Sequence, residues 1–307
     1  MNSQTFEIAE TEDAGIRLDR YLSEMLPDYS RSYLQTQIKE ENILVNDRPV
    51  KVSYLTRAGD EITVKDIELR EPEILPENIP LDILYEDEDV ILVNKPKGMV
   101  VHPAAGHSSG TLVNALMYHC KDSLSGINGV MRPGIVHRID KDTTGVIIAC
   151  KNDRAHRIIA EQLKEHSITR RYNAIVYQPI AEDGTVDAPI GRNPSKNPEE
   201  RKKMAIDPVN GRRAVTHYHV IENLGGKYSY VECTLETGRT HQIRVHMASI
   251  GHPLLGDPVY CRKKEYTEHG QVLHARVFGF VHPTTGEYME FEAPLPDYFT
   301  GLLQRLK

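Results

Sequence analysis

The chain has 307 residues, of which 39% are hydrophobic and 26% charged, a composition typical of an ordinary globular protein with about two domains. No apolar run approaches the ~18 residues that span a bilayer, and the acidic N-terminus lacks the basic and apolar regions of a signal peptide. The formal net charge of -7 disfavours binding of a polyanion through bulk charge, although a local basic patch would matter more. We therefore expect a globular, cytoplasmic protein with no membrane partner.

The charge and the prolines divide the chain unevenly. Residues 1–75 carry 9 Lys and Arg against 16 Asp and Glu, whereas the remaining residues are balanced. Residues 71–80 contain three prolines, which bar regular structure, so this segment is predicted as a linker. We predict an N-terminal extension at 1–14, a small unit at 15–70 and a large unit at 81–307.

The small unit is predicted to begin with two helices and to end with strands. Near-helical spacing of apolar residues predicts one helix over 15–26 and a second over 31–40. Alternating apolar and polar residues predict a hairpin over 42–51 that turns at Asn46-Asp47, and a further strand lies within 54–64.

The large unit is predicted to alternate between strands and helices without a repeated βαβ unit, which indicates an α+β fold. The predicted elements, in chain order, are two strands around an acidic turn within 81–103, a helix over 110–120, a buried strand over 146–150, a helix over 154–166 capped by Asp153, strands over 168–177, 214–224 and 228–237, a helix over 240–251 capped by Thr240 and ended by Gly251, a hairpin over 272–294 and a last helix over 297–306.

The segment at 136–153 carries the densest group of reactive side chains, yet several familiar motifs are excluded there. An EF-hand that starts at Asp140 would need a glutamate at its twelfth position, which is Lys151. An aspartic protease would need a second acid-Thr-Thr-Gly sequence, but the other Thr-Thr-Gly follows Pro283. The chain also has no phosphate-binding GxxxxGK loop, no GxGxxG, no HExxH and no CxxC pair. Neither a nucleotide cofactor nor a metal is indicated.

Asp140 is the centre of the first candidate group. A glycine after this charged loop opens a buried strand, so the loop side chains lie at the mouth of that strand. Arg138 and Lys141 favour the ionised form of Asp140, and an ionised carboxylate can act as a nucleophile or a base. The alternative is an aspartate that only caps a turn, since Asp and Thr are common in turns.

Two further groups contain arginines. Arg239, His241 and Arg244 crowd the start of a predicted helix, where one arginine can pair with Asp140 and another can hold a phosphate. The alternative is a basic helix start on the surface. Tyr172 follows two arginines in a predicted strand and can stack on a nucleobase. The alternative is a core tyrosine whose hydroxyl has a partner.

Taken together, these segments resemble the RluA-type pseudouridine synthases, particularly the RluD-like branch that modifies large-subunit ribosomal RNA. The resemblance covers residues 81–295 and rests on HRIDKDTTG, RRYNAIV, LETGRTHQIRVH followed by GHPLLGDPVY, and LHA…FVHPTTGE…FEAPLP. It implies a mixed, largely antiparallel catalytic core. Residues 15–70 resemble an S-four-like RNA-binding domain, although Glu41 and Asp47 stand where glycine is more usual.

The resemblance implies a role for each matching residue. Asp140 matches the catalytic aspartate, Tyr172 the active-site tyrosine and Arg244 the arginine that pairs with the aspartate. Leu235 matches the apolar residue beneath the base, and Arg138 matches the arginine that fills the gap left by the flipped nucleotide. Further substrate-binding residues are predicted at His137, Thr143, Arg239 and His241.

In the small unit, RNA contacts are predicted at Arg17, Arg20, Ser30, Arg31 and Lys51, with Ser30 also expected to cap the second helix. On charge alone these basic side chains could equally be solvated surface. The resemblance implies an RNA partner, no cofactor and no metal. We expect a monomer.

Three interpretations are compatible with the residues. The first is a pseudouridine synthase that acts on ribosomal or, alternatively, transfer RNA. The second is a non-catalytic RNA-binding protein or ribosome assembly factor, for which Asp140 would be dispensable. The third is another carboxylate enzyme, such as a nucleoside hydrolase or glycosidase, which would need a second acid such as Asp142.

Overall fold

The computed structural model describes residues 4–8, 14–27, 29, 31–65, 74–103, 107, 109–121, 123–127, 132–195, 200, 203–263 and 265–307. The chain forms two compact units, Met1–Pro72 and Glu73–Lys307, called here the small and the large unit. Ser30, predicted to cap the second helix and to contact RNA, lies outside the described residues.

The described residues of the small unit form two helices packed on a four-stranded antiparallel sheet. Its elements are β1 (Gln4–Glu7), α1 (Leu18–Met25), α2 (Arg31–Lys39), β2 (Ile43–Val45), β3 (Arg48–Pro49) and β4 (Glu61–Val64), with strand order β1-β4-β2-β3. The helical spacing of Leu18 and Leu22 buries both side chains against Ile62 and other core residues. Residues 4–7 were predicted to lie in an N-terminal extension, but they pair with β4 and therefore belong to the sheet.

Tight turns in the small unit place non-glycine residues in the left-handed region. Asn46 and Asp47 have φ values of 51° and 57°, and they join β2 to β3 as predicted. This pair of positive φ values is what a two-residue hairpin requires. Glu41 also has a positive φ of 60°. The backbone therefore explains why glycine would be favoured at positions 41 and 47.

In the described residues, the large unit is built on a nine-stranded sheet with helices on both faces. Its strands are β5 (Ile83–Glu86), β6 (Val90–Lys95), β7 (Thr144–Cys150), β8 (Thr169–Tyr177), β9 (Gly184–Asp187), β10 (Ile190–Arg192), β11 (Met204–Ile206), β12 (Val215–Leu224), β13 (Tyr228–Leu235), β14 (Leu273–Val281) and β15 (Tyr288–Glu292). Its helices are α3 (Leu112–Cys120), α4 (Asp153–Lys164), α5 (Gln242–Ser249), a short 3-10 helix (Thr267–His269) and α6 (Asp297–Leu306).

The sheet order is β5-β6-β7-β14-β8-β13-β12-β9, with β15 paired to β14, and β10 and β11 form a separate pair. Every pairing in the large sheet is antiparallel except that of β7 with β14, which confirms the mixed, largely antiparallel prediction. Strand β7 is buried along its whole length because α3 and α5 cover one face while α4 covers the other. The strands that end at the site are thus rigidly supported.

Two predicted helix caps are wrong. Helix α4 is capped by Asn152, whose side chain accepts a hydrogen bond from the Ala155 amide, because the Asp153 carboxylate is bound instead by Ser125 Oγ at 2.7 Å. Helix α5 begins at Gln242, so its N-cap residue is His241 and not Thr240. The backbone of His241 is in the left-handed region, and its side chain makes no capping hydrogen bond to a described residue. The predicted end of α5 at Gly251 agrees with the structure, where Gly251 has a φ of 88°.

The described part of the proline-rich segment runs along the large unit. Ile74 is 6% exposed and belongs to the main core. The Glu77 carboxylate accepts a hydrogen bond from the Gly110 amide at 3.0 Å, and the Glu77 amide donates to the Asn114 carbonyl. Residues 74–77 are therefore anchored to the larger unit. Among the described helices, none has the length and apolar character needed to cross a membrane.

Candidate active site

The ends of several strands and the start of α5 surround an open cleft in the large unit. Tyr172 in β8 lies opposite Cys233 in β13 and Ala275 in β14, so three strands meet beside it. The cleft is lined by Arg138, Ile139, Asp140, Thr143, Tyr172, Leu235, Arg239, His241, Gln242, Ile243, Arg244 and Leu273. The tertiary structure thus brings together all three candidate groups from the sequence.

Asp140 is held at this cleft by a chain of ion pairs. Arg244 Nη1 donates to Asp140 Oδ2 at 2.8 Å. The other edge of the same guanidinium donates to both oxygens of Asp257, with Nε to Oδ2 at 2.7 Å and Nη2 to Oδ1 at 3.0 Å. Asp257 is fully buried, whereas the Asp140 side chain is 18% exposed. Asp257 therefore orients Arg244, and Arg244 presents a charge-assisted hydrogen bond to the accessible carboxylate.

The Arg244 guanidinium remains charged in this setting. Burial alone would lower its pKa, but Asp257 and then Asp140 outweigh burial and raise the pKa of Arg244. Tyr260 packs against the same guanidinium, whose carbon lies 5.1 Å from the ring centroid. The Tyr260 hydroxyl also bonds His241 Nδ1 at 2.8 Å, and this places His241 Nε2 3.8 Å from Asp140 Oδ1. Burial lowers the pKa of His241 despite Asp140, so the imidazole is neutral at pH 7.

A buried lysine supports the backbone of the loop that carries Asp140. Lys95 is fully buried, and its Nζ donates to the carbonyls of Pro96, Met99 and Lys141 at 2.8, 2.8 and 3.0 Å. These three acceptors use all three ammonium protons. The Thr143 amide donates to the Asp140 carbonyl at 3.1 Å and closes the turn. The loop backbone is therefore fixed at Asp140 and directly after it.

Gly145 follows that loop for a steric reason. Its φ of 106° disfavours any other residue, and a Cβ there would lie 2.1 Å from the Ala275 carbonyl oxygen of β14. The close approach belongs to the parallel pairing of β7 and β14, in which Ala275 lies opposite Gly145. The Thr-Thr-Gly sequence therefore lets the Asp140 loop turn directly into the sheet.

Apolar and aromatic side chains form the wall opposite the charged groups. Tyr172 and Leu235 are each 8% exposed, and Ile243 is 4% exposed. Burial raises the pKa of Tyr172, Arg170 opposes this shift and Asp140 adds to it, so the phenol is protonated at neutral pH. The cleft can therefore receive a flat, partly apolar ring between Tyr172 and Leu235, next to a carboxylate.

The remaining predicted substrate residues occupy different places. Arg138 is exposed at the rim, and Arg239 is half-buried in the lining. Thr143 is 1% exposed, and its hydroxyl accepts from Gln271 Nε2 at 3.3 Å. His137 does not line the cleft: its Nε2 accepts from the Ile148 amide at 3.2 Å, and its ring stacks on Phe278. Burial lowers the pKa of His137 to about 3, so it acts on the sheet as a neutral anchor.

A second buried histidine predicts how acid affects this region. His274 Nε2 donates to the Ala293 carbonyl and Nδ1 accepts from Thr144 Oγ1, directly after the Asp140 loop. Burial lowers the pKa of His274 from 6.5 to about 4, opposed by the Ala293 hydrogen bond. The folded protein thus binds fewer protons here than the unfolded chain, and stability falls as pH drops from 6.5 towards about 4.

We expect His274→Gln to weaken that pH dependence by up to about 3 kcal/mol, because glutamine retains a donor and an acceptor but does not titrate. The check is the free energy of unfolding in urea for both proteins across this pH range. Parallel profiles for wild type and variant would contradict the assignment.

In the small unit, two of the predicted RNA-binding arginines are tied to a buried carboxylate. Arg17 Nε and Arg31 Nε each lie 2.9 Å from Asp19, which is fully buried, while the two arginine side chains are 43% and 49% exposed. Burial would raise the pKa of Asp19, but Arg17, Arg31 and Gln35 lower it. Arg20 pairs with Glu24 on the surface, and Lys51 is exposed. Arg17 and Arg31 therefore each bind Asp19 and still expose part of their side chains to solvent.

Four residues of the site were not predicted from the sequence. Asp257, Tyr260, Lys95 and Gln242 orient Arg244, His241 and the loops, and each acts on a partner distant in sequence or in an irregular segment. Asp257 and Tyr260 lie in the GHPLLGDPVY motif, and that motif was the sequence signal that could have identified them. Among the described residues, no group of three or more His, Cys, Asp or Glu side chains could hold a metal ion.

Comparison with known proteins agrees with this architecture. Residues 89–249 match the family model described as RNA pseudouridylate synthase, and residues 16–62 match the S4 domain. An RNA pseudouridine synthase of Bacillus subtilis is 51% identical over 300 residues, covering 97% of each chain. The ribosomal large subunit pseudouridine synthase D of Zymomonas mobilis is 49% identical over 320 residues, covering 98% of each chain.

A solved structure supports the fold of the large unit. Human RNA pseudouridylate synthase domain containing 1 is 26% identical and has a TM-score of 0.56, covering 78% of this chain and 97% of that one. The fold and the cleft thus define an enzyme that modifies RNA. The chain belongs to the RNA pseudouridine synthase family and carries an S4 domain before the catalytic unit.

Proposed function

We propose that this enzyme isomerises specific uridines of large-subunit ribosomal RNA to pseudouridine. Relatives 42–49% identical over nearly the whole chain carry the name ribosomal large subunit pseudouridine synthase D. The observation that carries the chemical part is the Asp140 carboxylate, held by Arg244 at a cleft with Tyr172 and Leu235 on its wall. Transfer RNA is the alternative substrate.

The reaction begins with extrusion of the target nucleotide, because the glycosidic bond of a stacked uridine is out of reach. Flipping costs a few kcal/mol, which contacts to the protein must offset. Arg138 is exposed at the rim and can fill the gap left in the RNA. Tyr172 and Leu235 can then hold the uracil on its two faces, with the sugar next to Asp140.

The chemical steps exchange one bond of the uracil for another. The bond between uracil N1 and sugar C1′ breaks, the base turns within the cleft, and C5 forms a new bond to C1′. C5 then loses its proton and N1 gains one, so no atom is lost overall. Two routes are compatible with the position of Asp140. Its carboxylate adds to C1′ as N1 leaves and is then displaced by C5, or it accepts the proton from C2′ to give a glycal and returns that proton to C2′ when C5 bonds to C1′. In both, the C5 proton leaves to solvent, and the protonated Tyr172 holds the uracil by stacking on its ring.

Two features of the site suit this chemistry. The single hydrogen bond from Arg244 leaves Asp140 Oδ1 without a hydrogen bond to any described residue, so that oxygen is available to the sugar. The apolar wall at Leu235 and Ile243 limits the water that could intercept the detached base. Arg244 keeps the carboxylate oriented toward the cleft.

The chain organisation completes the proposal. We assign RNA capture to the small unit, with residues 15–70 as the S4-type domain, residues 71–80 as the connection and residues 81–307 as the catalytic domain. Arg17, Arg20, Arg31 and Lys51 are the basic side chains offered to the RNA. The enzyme would act as a monomer in the cytoplasm, where ribosomal RNA is available.

The proposal is tested with ribosomal RNA that carries tritium at uracil C5. The RNA should come from a strain that lacks this protein, so that its target uridines are unmodified. We expect the enzyme to release tritium from large-subunit RNA, with small-subunit and transfer RNA as comparison substrates. Release from transfer RNA alone would reassign the substrate, and release from none of them would contradict the proposal.

A further inference from the structure

A buried arginine next to the active site has no carboxylate partner among the residues that the structure describes. Arg170 in β8 is 6% exposed and precedes Tyr172 by two residues, on the same face of the strand. Its Nη2 donates to the Glu236 carbonyl at 2.9 Å, but its buried Nε has no hydrogen-bond partner in the described part of the chain. No described Asp or Glu forms an ion pair with it. Burying a charge in this way is costly unless an anion compensates it.

Gly238 leaves that guanidinium open to the surface. A Cβ at position 238 would lie 2.5 Å from Arg170 Nη1, so a side chain there would press on the guanidinium. Gly238 itself is exposed. The absence of a side chain therefore allows an external group to approach the Nη1 edge of Arg170.

Other cations surround the same point. Arg239 Nε donates to the Arg213 carbonyl at 3.0 Å, and within the described chain both Arg239 Nη atoms have no partner. Arg212 is exposed and likewise makes no side-chain hydrogen bond to a described residue. Burial and the proximity of Arg212 lower the pKa of Arg239, which indicates that these cations repel each other.

The nearby carboxylate of Glu236 already has two partners. Glu236 accepts from Arg213 Nη2 at 2.9 Å and contacts His217 Nε2 at 2.9 Å. Burial lowers the pKa of His166, and Arg170, Arg239 and Arg213 add to this shift while Glu236 opposes it, so three arginines act on one nearby histidine. The unmatched charge at this place calls for an anion from outside the chain.

We infer that Arg170, Arg212, Gly238 and Arg239 form a subsite for a backbone phosphate of the RNA, beside the flipped uridine. Guanidinium groups match phosphate oxygens in a planar, two-point geometry. Arg239 also lines the active-site cleft, so the bound phosphate lies next to the target nucleotide. The inference rests on the proposed function, since an RNA substrate supplies the phosphate.

The test measures how RNA affinity depends on salt. An unmodified transcript of large-subunit ribosomal RNA is bound to Asp140→Asn protein, so that the RNA stays unmodified, over a range of KCl concentrations. Loss of one phosphate contact should reduce the slope of log K against log[KCl] by about 0.7–0.9. We expect this reduction for Arg212→Gln in that background, because Arg212 is exposed and its replacement should not disturb the fold.

Gly238→Ala provides an independent variant that keeps every charge. Its Cβ would obstruct the Arg170 edge, so we expect weaker RNA binding and a reduced slope. Gly301→Ala is the matched control, since its Cβ meets nothing within 4 Å in α6. Arg157→Gln in α4 is the charge control, because α4 covers the sheet face opposite α5. Both controls should bind with the parent slope.

The outcomes separate the two proposals. If wild type releases tritium but Arg212→Gln and Gly238→Ala bind RNA with the parent affinity and slope, the phosphate subsite is wrong and the proposed function stands. If wild type releases no tritium and the transcript does not bind, both proposals are wrong. A reduced slope in both variants, with unchanged controls, supports the subsite.

Discussion

Asp140→Asn should abolish tritium release from large-subunit RNA, with a loss of at least about 10³-fold, because the amide can neither add to the sugar nor accept its proton. The variant should still fold, since the amide oxygen can accept the hydrogen bond that Arg244 Nη1 gives Asp140 Oδ2. The measurement is the initial rate of tritium release under conditions where wild-type enzyme is saturated with RNA.

Asp142→Asn is the matched control for that experiment. Asp142 lies two residues further along the same loop, but its side chain packs against Gly270 and does not line the cleft. We expect near-normal tritium release from this variant. Equal release by Asp140→Asn and wild type would mean that the carboxylate is dispensable, as a non-catalytic RNA-binding protein would require. A loss in both variants would point to the loop and not to Asp140.

Asp257→Ala should destabilise the protein by about 3–5 kcal/mol, because it leaves the buried Arg244 without its principal counter-ion. Asp257 is fully buried and accepts four hydrogen bonds, two from Arg244 and one each from the amides of Val259 and Tyr260. Urea unfolding followed by circular dichroism measures the loss, since the chain has no tryptophan. Activity should fall as well, because Arg244 loses its orientation toward Asp140.

Asp183→Ala is the matched control for stability. The Asp183 carboxylate, like that of Asp257, accepts hydrogen bonds from a side chain, His219, and from a backbone amide, that of Val220. Unlike Asp257, the Asp183 side chain is 58% exposed. Its removal should cost no more than about 1 kcal/mol. The double variant Arg244→Met, Asp257→Leu should recover most of the lost stability while staying inactive, since apolar residues can replace a buried ion pair. Equal losses for Asp183→Ala and Asp257→Ala would contradict the proposed role of Asp257.

The pattern of the sequence predicted most elements because their burial is locally periodic. The helix at 154–166 has apolar residues spaced for one face, and α4 buries Ala155 and Ile159 on that face. The hairpin at Asn46-Asp47 was predictable because few other pairs adopt two positive φ values. The caps were less predictable: Asn152 and Asp153 are both good caps, and Ser125, which binds Asp153, is distant in sequence.

In the candidate site, the chemical types were predictable from the sequence, but the direction of each side chain was not. The residue types at Asp140, Tyr172 and Arg244 indicated ionised, aromatic and anion-binding groups, and the structure places all three around one cleft. His137 was predicted to bind substrate as part of the HRIDKDTTG motif, but its ring stacks on Phe278 of the sheet and its Nε2 accepts a hydrogen bond from the Ile148 amide. Side-chain direction in an irregular loop follows no period, so sequence spacing could not distinguish His137 from its neighbour Arg138.

The sequence by itself determined the local conformations, the two-unit organisation and the chemical types gathered in each motif, because these depend on neighbours along the chain. Only the tertiary structure decided which charges meet. Arg244 lies between Asp140 and Asp257 because the strands and α5 converge there, and Gly145 is required because β14 passes within contact of it. The contacts of Asp140 with Arg244 and of Gly145 with Ala275 join segments more than a hundred residues apart, which no local pattern encodes.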